Sequence, residues 1–349
     1  MTQTLNVNRL PSITWRWLKV NDRKVEFSTD AVDAAPKATV PANITAAADF
    51  AALADIKTGA GKEVDALMEN ATTTVYTAAG KAEPLRLTFD MQNGQAGLNR
   101  YGFIVEEGAE ATLIMDFKSA ADAEGYLGVQ TKALLKKDAL LHVVQVHRLG
   151  EGFTCINDIG ADLQENAKID IIHVVFSGKE NDLGVETRLT GDKAEVEINV
   201  AYLGEKDHRI DMNYNFPQYG KNTVSNFNAS GVLRDNAWKT MRDTIDFKKG
   251  SCGSTGDENE SVLLMDDEIV NQSIPVILCT EEDVEGNHGA SIGRLDEALL
   301  FYLESRGISY DDIYEMMAKA RLDAVIGLIA DDATREELLA YNDGEEVEA

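Results

Sequence analysis

Short segments of alternating or continuous apolar residues fill the chain from about Thr72 to Leu278, and turn residues separate them. These segments are rich in β-branched residues, and their period of two is that of a strand with one buried face. We therefore predict a mainly β core. The clearest strand segments are 111–117, 139–146, 167–176, 194–203 and 237–247, with 153–163 and 222–233 lying between them in the opposite phase.

Turn-forming residues precede five of these segments at loosely regular intervals. They are Gly108, Asp138, Asn166, Asp192 and Asn236, so the spacings are 30, 28, 26 and 44 residues. A repeat of two strands per period, with almost no helix, is typical of a β-solenoid whose stacked coils share one continuous core. The last spacing indicates a turn that the pattern does not reveal. A large antiparallel sandwich is the competing architecture.

After Arg294 the hydrophobic period becomes that of an α-helix, and Gly307 stands where a left-handed C-cap is expected. Ser309 and Asp312 form a capping-box signature for a second helix, and a third helix is predicted near Thr334. The apolar residues of the first helix are Leu295, Leu299, Tyr302 and Leu303, and those of the second are Ile313, Met316, Met317, Ala320 and Ala324. We predict a small helical bundle after the sheet.

Residues 46–70 are rich in alanine and helix-prone, but the segment TGAGKE at 58–63 interrupts them. Its Gly61-Lys62 pair resembles part of a phosphate-binding loop. In that motif, however, the position of Ile56 requires glycine and that of Glu63 requires serine or threonine. We therefore exclude a nucleotide site here.

Charge and composition narrow the possible partners and locations. The 349 residues include 60 acidic and 33 basic ones, a formal net charge of -27 that disfavours binding to nucleic acid or anionic lipid. No apolar run approaches the ~20 residues of a membrane span, and the N-terminus lacks the apolar region of a signal peptide. We expect a cytoplasmic protein without membrane insertion. Its three cysteines, Cys155, Cys252 and Cys279, are too scattered for a disulfide framework.

Candidate metal ligands occur together between a predicted strand and the first C-terminal helix. Cys279 and His288 lie nine residues apart, with four carboxylates between them. Thiolate and imidazole suit iron, iron–sulfur clusters or zinc, so a mixed site of this kind could hold iron transiently. The alternative is structural: Gly286 and Gly289 allow the chain to turn between the strand and the helix, and His288 forms a hydrogen bond near the start of the helix. No catalytic triad can be assembled from local spacing.

The segment 273–308, SIPVILCTEEDVEGNHGASIGRLDEALLFYLESRGI, resembles the signature of the SufB/SufD family of iron–sulfur cluster assembly proteins. Weaker likeness extends through 231–250 and 261–275, and the opening residues 10–21 also resemble members of this family. The residues that match the signature are Asp283, Val284, His288, Gly289, Ala290, Gly293, Asp296, Leu299, Phe301, Tyr302, Leu303, Ser305, Arg306, Gly307 and Ile308.

The resemblance implies a right-handed parallel β-helix followed by a helical domain. On this basis we divide the chain into an N-terminal region with short helical and extended segments (1–84), a β-helix core (85–286) and a C-terminal helical domain (287–349). The implied function is a non-catalytic scaffold on which iron–sulfur clusters are built. It implies a transient cluster or iron rather than a tightly bound cofactor. A β-solenoid enzyme acting on carbohydrates is the alternative.

Family residues and partners follow from the same resemblance. His288 matches the SufD-type histidine implicated in cluster assembly, while Gly289 replaces the glutamate of the SufB-type pattern, so the chain is SufD-like. Cys279 is a weaker candidate ligand. The implied partners are a SufB-type paralogue or a second copy, bound through the β-helix, and the SufC-type ABC ATPase, bound through the C-terminal helices. The predicted ATPase-binding residues are Leu299, Phe301, Tyr302, Arg306, Ile313, Met316 and Met317.

Overall fold

Two nine-stranded β-sheets face each other in the computed structural model, which describes residues 2–14, 16–29 and 34–344. From β5 (Thr72–Ala78) onward, consecutive strands alternate between the sheets, and all neighbours among them are parallel. Eight successive strand pairs therefore form eight coils of a β-solenoid. The predicted mainly β solenoid is confirmed, and parallel pairing excludes the antiparallel sandwich.

The strands and helices have the following bounds. An N-terminal hairpin consists of β1 (Thr2–Val7) and β2 (Arg23–Ser28). Sheet I contains β3 (Lys37–Thr39), β6 (Leu85–Met91), β8 (Glu110–Ser119), β10 (Leu140–Arg148), β12 (Lys168–Ser177), β14 (Glu195–Gly204), β16 (Val224–Leu233), β18 (Ser254–Leu264) and β20 (Val284–Gly293). Sheet II contains β4 (Ile44–Ala47), β5 (Thr72–Ala78), β7 (Ala96–Val105), β9 (Glu124–Leu135), β11 (Gly152–Leu163), β13 (Glu180–Leu189), β15 (Arg209–Gln218), β17 (Trp238–Phe247) and β19 (Val270–Cys279). The helices are α1 (Lys62–Met68), α2 (Glu297–Ser305), α3 (Tyr310–Ile326) and α4 (Asp332–Asn342).

One corner of the solenoid is a stack of residues in the left-handed backbone conformation. The amide of each donates a hydrogen bond to the next coil, as from Gly108 to the Lys137 carbonyl at 3.0 Å. Of the predicted turn residues, Asp192 is one position early, since Lys193 has the left-handed conformation. Asn222 is the turn residue missing from the predicted 44-residue spacing. Asn236 belongs to the opposite corner, between β16 and β17. The positive-φ residues of this corner are Gly108, Asp138, Asn166, Lys193, Asn222 and Gly253.

The outer faces of both sheets are covered by the chain ends. The hairpin and α1 pack on sheet II, and α3 and α4 pack on sheet I. The contact on sheet I joins Ile114, Val144, Val146, Ile172, Val174, Phe176 and Ala201 to Leu322, Val325, Ile326, Ile329 and Leu338. Because burial of this apolar surface stabilises both layers, α3 and α4 are part of the folded body and not an independent appendage.

The predicted C-terminal helices are confirmed, with their caps. The Ser309 hydroxyl accepts a hydrogen bond from the Asp312 amide at 3.2 Å, as the capping box requires. Gly307 has a φ of 89°, the left-handed conformation expected after α2. Within the described residues, no helix is both long and apolar enough to cross a lipid bilayer.

The TGAGKE segment crosses the outer face of sheet II in close backbone contact. The Gly59 amide donates to the Ile159 carbonyl at 3.2 Å, and the Asn213 side chain donates to the Gly59 carbonyl at 2.8 Å. A Cβ atom on Gly59 would lie 1.9 Å from the Val185 nitrogen. The glycine is therefore required for the approach of two backbones, a structural role consistent with the absence of a complete phosphate-loop motif.

The solenoid extends beyond the predicted 85–286 limits at both ends. Its first coil begins at Thr72, and β20 continues to Gly293. The residues predicted to turn the chain from strand to helix, Gly286 and Gly289, instead lie within β20, and the turn occupies 280–283. The prediction that these glycines bend the chain was therefore wrong.

Candidate functional site

The two ends of the solenoid differ in how their strand edges are covered. At the first coil, β3 and β4 add antiparallel strands to sheets I and II. At the last coil, β19 and β20 are the outermost strands of their sheets within the described chain. An uncovered strand presents a row of unpaired N–H and C=O groups that can bind another strand. We call this last coil, residues 270–293, the open end.

Strand register shows which side chains of the open end face the interior of the solenoid. His288 pairs with the inward-facing Glu258, and Gly286 pairs with Gly256. A Cβ atom on Gly286 would lie 2.9 Å from the ring of Phe247, which confirms that this set faces inward. The inward-facing positions are Asn271, Ser273, Pro275, Ile277 and Cys279 on β19, and Val284, Gly286, His288, Ala290 and Ile292 on β20.

His288 therefore lies at the mouth of the solenoid interior. Its side chain is exposed because no further coil within the described residues covers it. Directly beneath it in the ladder is Glu258, which is 2% exposed, and beside Glu258 across the interior is Asp243. The imidazole is thus placed between solvent and a buried acidic cluster.

Cys279 does not share this position, although it faces inward. It ends β19, whereas His288 is the fifth residue of β20, on the far side of the turn. Val284 and His288 are four positions apart along an extended strand, a distance of roughly 13 Å. The Cys279 thiol donates instead to the Glu281 carbonyl at 2.8 Å. The structure therefore does not bring Cys279 and His288 together as ligands of one ion.

Glu258 and Asp243 form a buried pair of carboxyl groups. In the ladder they lie above Phe227 and Tyr214, whose ring centroids are 4.7 Å apart. Burial raises the pKa of Glu258, and the charge and hydrogen bond of Asp243 raise it further. The Ile245 amide opposes this shift, but neither Glu258 oxygen has a well-formed hydrogen bond within the described residues. A proton on Glu258 that is donated to Asp243 gives each group a hydrogen bond, so the pair titrates as one unit and retains a proton at neutral pH.

A second buried network lies near the acid pair, since Lys239 and Glu260 both act on the Asp243 charge, and it reaches the open end. The Lys239 ammonium is paired with Glu260, and it also donates to the Ser273 hydroxyl of β19 at 2.9 Å. Tyr202 donates to the same Glu260 carboxylate at 3.1 Å. Burial lowers the pKa of Lys239, and the adjacent Glu260 opposes that shift. The interior below His288 is therefore polar, charged and tied to the last coil.

The acid pair predicts a pH dependence of folding stability. Because the pKa of Glu258 is raised above its ordinary 4.5, the folded state binds this proton more tightly than the unfolded chain. Its contribution is therefore fully present below pH 4.5 and is lost as the pH rises towards the folded-state value. We expect Glu258→Gln to leave stability nearly unchanged at acid pH and to raise it by at least about 1 kcal/mol in mildly alkaline buffer.

Chemical denaturation at several pH values measures this difference. Glu285→Gln is the matched control, since Glu285 is exposed on the outer face of the same open end. Equal pH profiles for wild type and Glu258→Gln would show that Glu258 is not protonated in the folded protein.

The seven residues predicted to bind an ATPase fall into two groups. Those of α2 are exposed: Phe301 is 73% accessible, and α2 buries none of its residues. The Arg306 guanidinium lies 5.1 Å from the Tyr302 ring centroid, so both belong to the same surface. Ile313, in contrast, is fully buried in α3 against the chain itself and cannot face a partner in this conformation.

The α3 methionines also divide between surface and core. Met316 is 47% exposed, whereas Met317 is partly buried against the cluster of Val232, Leu263, Tyr314 and Ala318. The apolar spacing of α3 predicted that these residues share one helix face. Only part of that face packs on sheet I, and Met316 lies outside the buried part. Leu299, Phe301, Tyr302, Arg306 and Met316 remain available for binding, and we call them the α2 surface.

Among the described residues, no group of three or more His, Cys, Asp or Glu side chains is arranged to hold a metal ion.

Comparison with known proteins supplies the family. The family model for "SUF system FeS cluster assembly, SufBD core domain" matches residues 88–321, which include nearly all of the solenoid, the open end and α2. The chain belongs to the SufBD core family.

Individual relatives indicate the branch of this family. The iron–sulfur cluster assembly protein SufD of Bacillus subtilis is 20% identical over 71% of this chain, and SufD of Escherichia coli is 24% identical over 69%. The B. subtilis SufB protein is 25% identical, but over only 34% of the chain. This SufBD member is therefore SufD-like, as the residues around His288 predicted. The aligned regions span 57% of each SufD protein, a little over half of its length.

Proposed function

We propose that this SufD-like chain is a scaffold subunit for iron–sulfur cluster assembly, with the nascent cluster as its substrate at the open end. The observation that carries the proposal is the position of His288, which faces the solenoid interior on an uncovered terminal coil. Imidazole is a ligand for iron, and the exposed location leaves the remaining coordination positions to other groups. Cluster or iron binding is transient in this proposal, and the chain itself catalyses no reaction.

The remaining ligands come, in this proposal, from a second subunit docked on the open end. β19 and β20 each offer ten residues of unpaired strand edge, which a partner can extend by adding strands. The edge strand β19 also carries half-buried apolar side chains that a partner could cover. Ile274, Val276 and Leu278 lie on its outer face, and Ile277 faces the interior. The partner is a SufB-type paralogue or a second copy of this chain.

The α2 surface is the proposed docking site for a SufC-type ATPase, which would supply the ATP hydrolysis. A helix with no buried residue and with exposed Leu299, Phe301 and Tyr302 has an apolar surface that no other described part of the chain covers. Deleting residues 294–330 is a poor test of this docking, because α3 covers an apolar patch of sheet I. Surface substitutions separate docking from folding.

We expect the double variant Leu299→Glu and Phe301→Glu to lose co-purification with a SufC-type ATPase. Each substitution places a charge where a buried apolar anchor would lie, and such anchors contribute about 2 kcal/mol or more each. The matched control is Val40→Glu with Leu328→Glu, two exposed apolar residues outside α2. Equal recovery of the ATPase with the α2 variant and with the control would place docking elsewhere.

Membership of the SufBD family does not favour the carbohydrate-active alternative. The cytoplasmic location expected from the sequence stays a prediction.

A further inference from the structure

Basic residues are concentrated in one segment of this acidic chain. Residues 2–29 contain five Lys or Arg and two Asp or Glu, whereas the whole chain has a net charge of -27. Four of these cations, Arg9, Arg16, Lys19 and Lys24, line a cavity of about 500 Å³ together with Ile13, Asn21 and Asp22. We call this cavity the cationic pocket.

The four cations of the pocket have no carboxylate partner in the part of the chain that the structure describes. All four side chains are exposed, and none of them forms an ion pair within the described residues. The neighbouring Arg23 differs, because it pairs with Glu180 at 2.9 Å and with Asp182 at 3.1 Å. The chain thus pairs the cation that anchors the hairpin and leaves four others facing solvent around one cavity.

Buried charges hold the loop that carries the pocket. Arg242 is 1% exposed; it donates to the Val20 carbonyl at 2.6 Å and to the Asp211 carboxylate at 2.7 Å. The same carboxylate accepts from the Asn8 side chain at 2.8 Å. Both ends of the loop between β1 and β2 are therefore fixed to sheet II by one buried network.

Further hydrogen bonds close the loop on itself. The Leu10 amide donates to the Asn21 carbonyl at 2.8 Å, and the Thr14 amide donates to the Asn21 side chain at 2.6 Å. A loop anchored in this way presents its cations in a fixed arrangement, and such preorganisation lowers the entropic cost of binding.

We propose that the cationic pocket binds a short, carboxylate-rich segment of another protein. Opposite charge provides the attraction, and the exposed apolar side chains of Ile13, Trp17 and Leu18 lie on the same loop. Mixed arginine, aromatic and aliphatic surface is typical of protein-binding sites. The cavity is also within the size range of clefts that enclose organic ligands, well above a single phosphate.

The net charge of the chain favours a short ligand over a large polyanion. Long-range repulsion grows with the product of the two net charges. A nucleic acid, an anionic bilayer or a second copy at -27 therefore meets much stronger repulsion than a segment with a few carboxylates.

Fluorescence anisotropy with a short fluorescein-labelled peptide of Glu, Asp and Leu tests this site. We expect saturable binding at low ionic strength that weakens near 0.15 M salt, where the Debye length is about 8 Å. Arg9→Glu with Arg16→Glu should weaken binding by about tenfold or more, whereas Arg9→Lys with Arg16→Lys should largely retain it.

The charge-matched control is Lys81→Glu with Lys137→Glu, two exposed lysines elsewhere on the solenoid. Its affinity for the peptide should be within about twofold of that of wild type. This result would distinguish binding at the cationic pocket from attraction by the net charge of the whole protein. Equal loss in the control, or no binding by wild type, overturns the proposal. So does stronger binding of pyrophosphate, or of phosphatidylserine vesicles, than of the peptide.

Discussion

Lys239→Met is expected to lower the free energy of unfolding by about 3–5 kcal/mol, the largest stability effect among these predictions. Lys239 is fully buried, and its removal leaves the Glu260 carboxylate in the solenoid interior with Tyr202 as its remaining donor. An unpaired buried charge is far more costly than the loss of the pair as a whole. Denaturant unfolding monitored by circular dichroism measures the effect.

Adding Glu260→Gln to Lys239→Met is the control for this explanation. The double variant has no buried charge at this position, so it should recover most of the lost stability. If the double variant is as unstable as Lys239→Met alone, lost packing of the lysine stem is the cause instead. That result would contradict the account of a charged network below the open end.

His288→Ala is expected to reduce iron–sulfur cluster assembly by at least about tenfold while leaving the melting temperature unchanged. Loss of residues that merely support a metal ligand commonly costs 10–100-fold in affinity or activity, and a direct ligand should cost at least as much. The side chain is exposed at the edge of the last coil, so its removal creates no cavity. Complementation of a strain lacking the native protein measures cluster-dependent activity.

Asn287→Ala is the neighbouring control. Asn287 lies on the outer face of the same strand, where it donates to Asp257 at 3.0 Å. It should retain full assembly activity, since its side chain does not face the solenoid interior. Normal cluster yield in His288→Ala would remove the proposed role of the imidazole, and equal loss in both variants would indicate a general requirement for the strand surface.

The middle of the solenoid could be predicted from the sequence because its interior enforces the pattern. Each of these coils is enclosed by coils on both sides, and inward positions such as Ile169 and Ile171 are buried and apolar, as are their neighbours in the ladder. The last coil lacks this constraint on one side. Its inward positions therefore include glycine, histidine and alanine, a pattern that indicates a turn instead of the strand β20.

The solenoid repeat contained a signal that local spacing did not. Glu258 precedes His288 by 30 residues, one repeat, and parallel coils place such residues one above the other. Cys279 is nearer to His288 in sequence, but it ends β19, whereas His288 lies in the middle of β20. Glu258 could therefore be found from the repeat period, whereas local spacing does not show which residue lies beneath His288.

Contacts between distant segments were beyond sequence reasoning. Asn8 and Asp211 are 203 residues apart, and nothing in either local pattern indicates that they are hydrogen-bonded. The burial of Ile313 likewise depends on which side of α3 meets sheet I. The sequence predicted the helix, but it could not show which of its apolar residues are buried in the core and which are exposed to a partner.

The central claim is that the open end, with His288 at its mouth, forms part of a cluster-assembly site completed by another subunit. Anaerobic isolation of the native complex, with its subunits identified and its iron and sulfide measured, tests this claim most directly. We predict a SufB-type paralogue or a second copy, together with a SufC-type ATPase, and iron and sulfide that decrease in His288→Ala without loss of subunits. A monomer without iron or sulfide, or metal content unaffected by His288→Ala, would contradict the account.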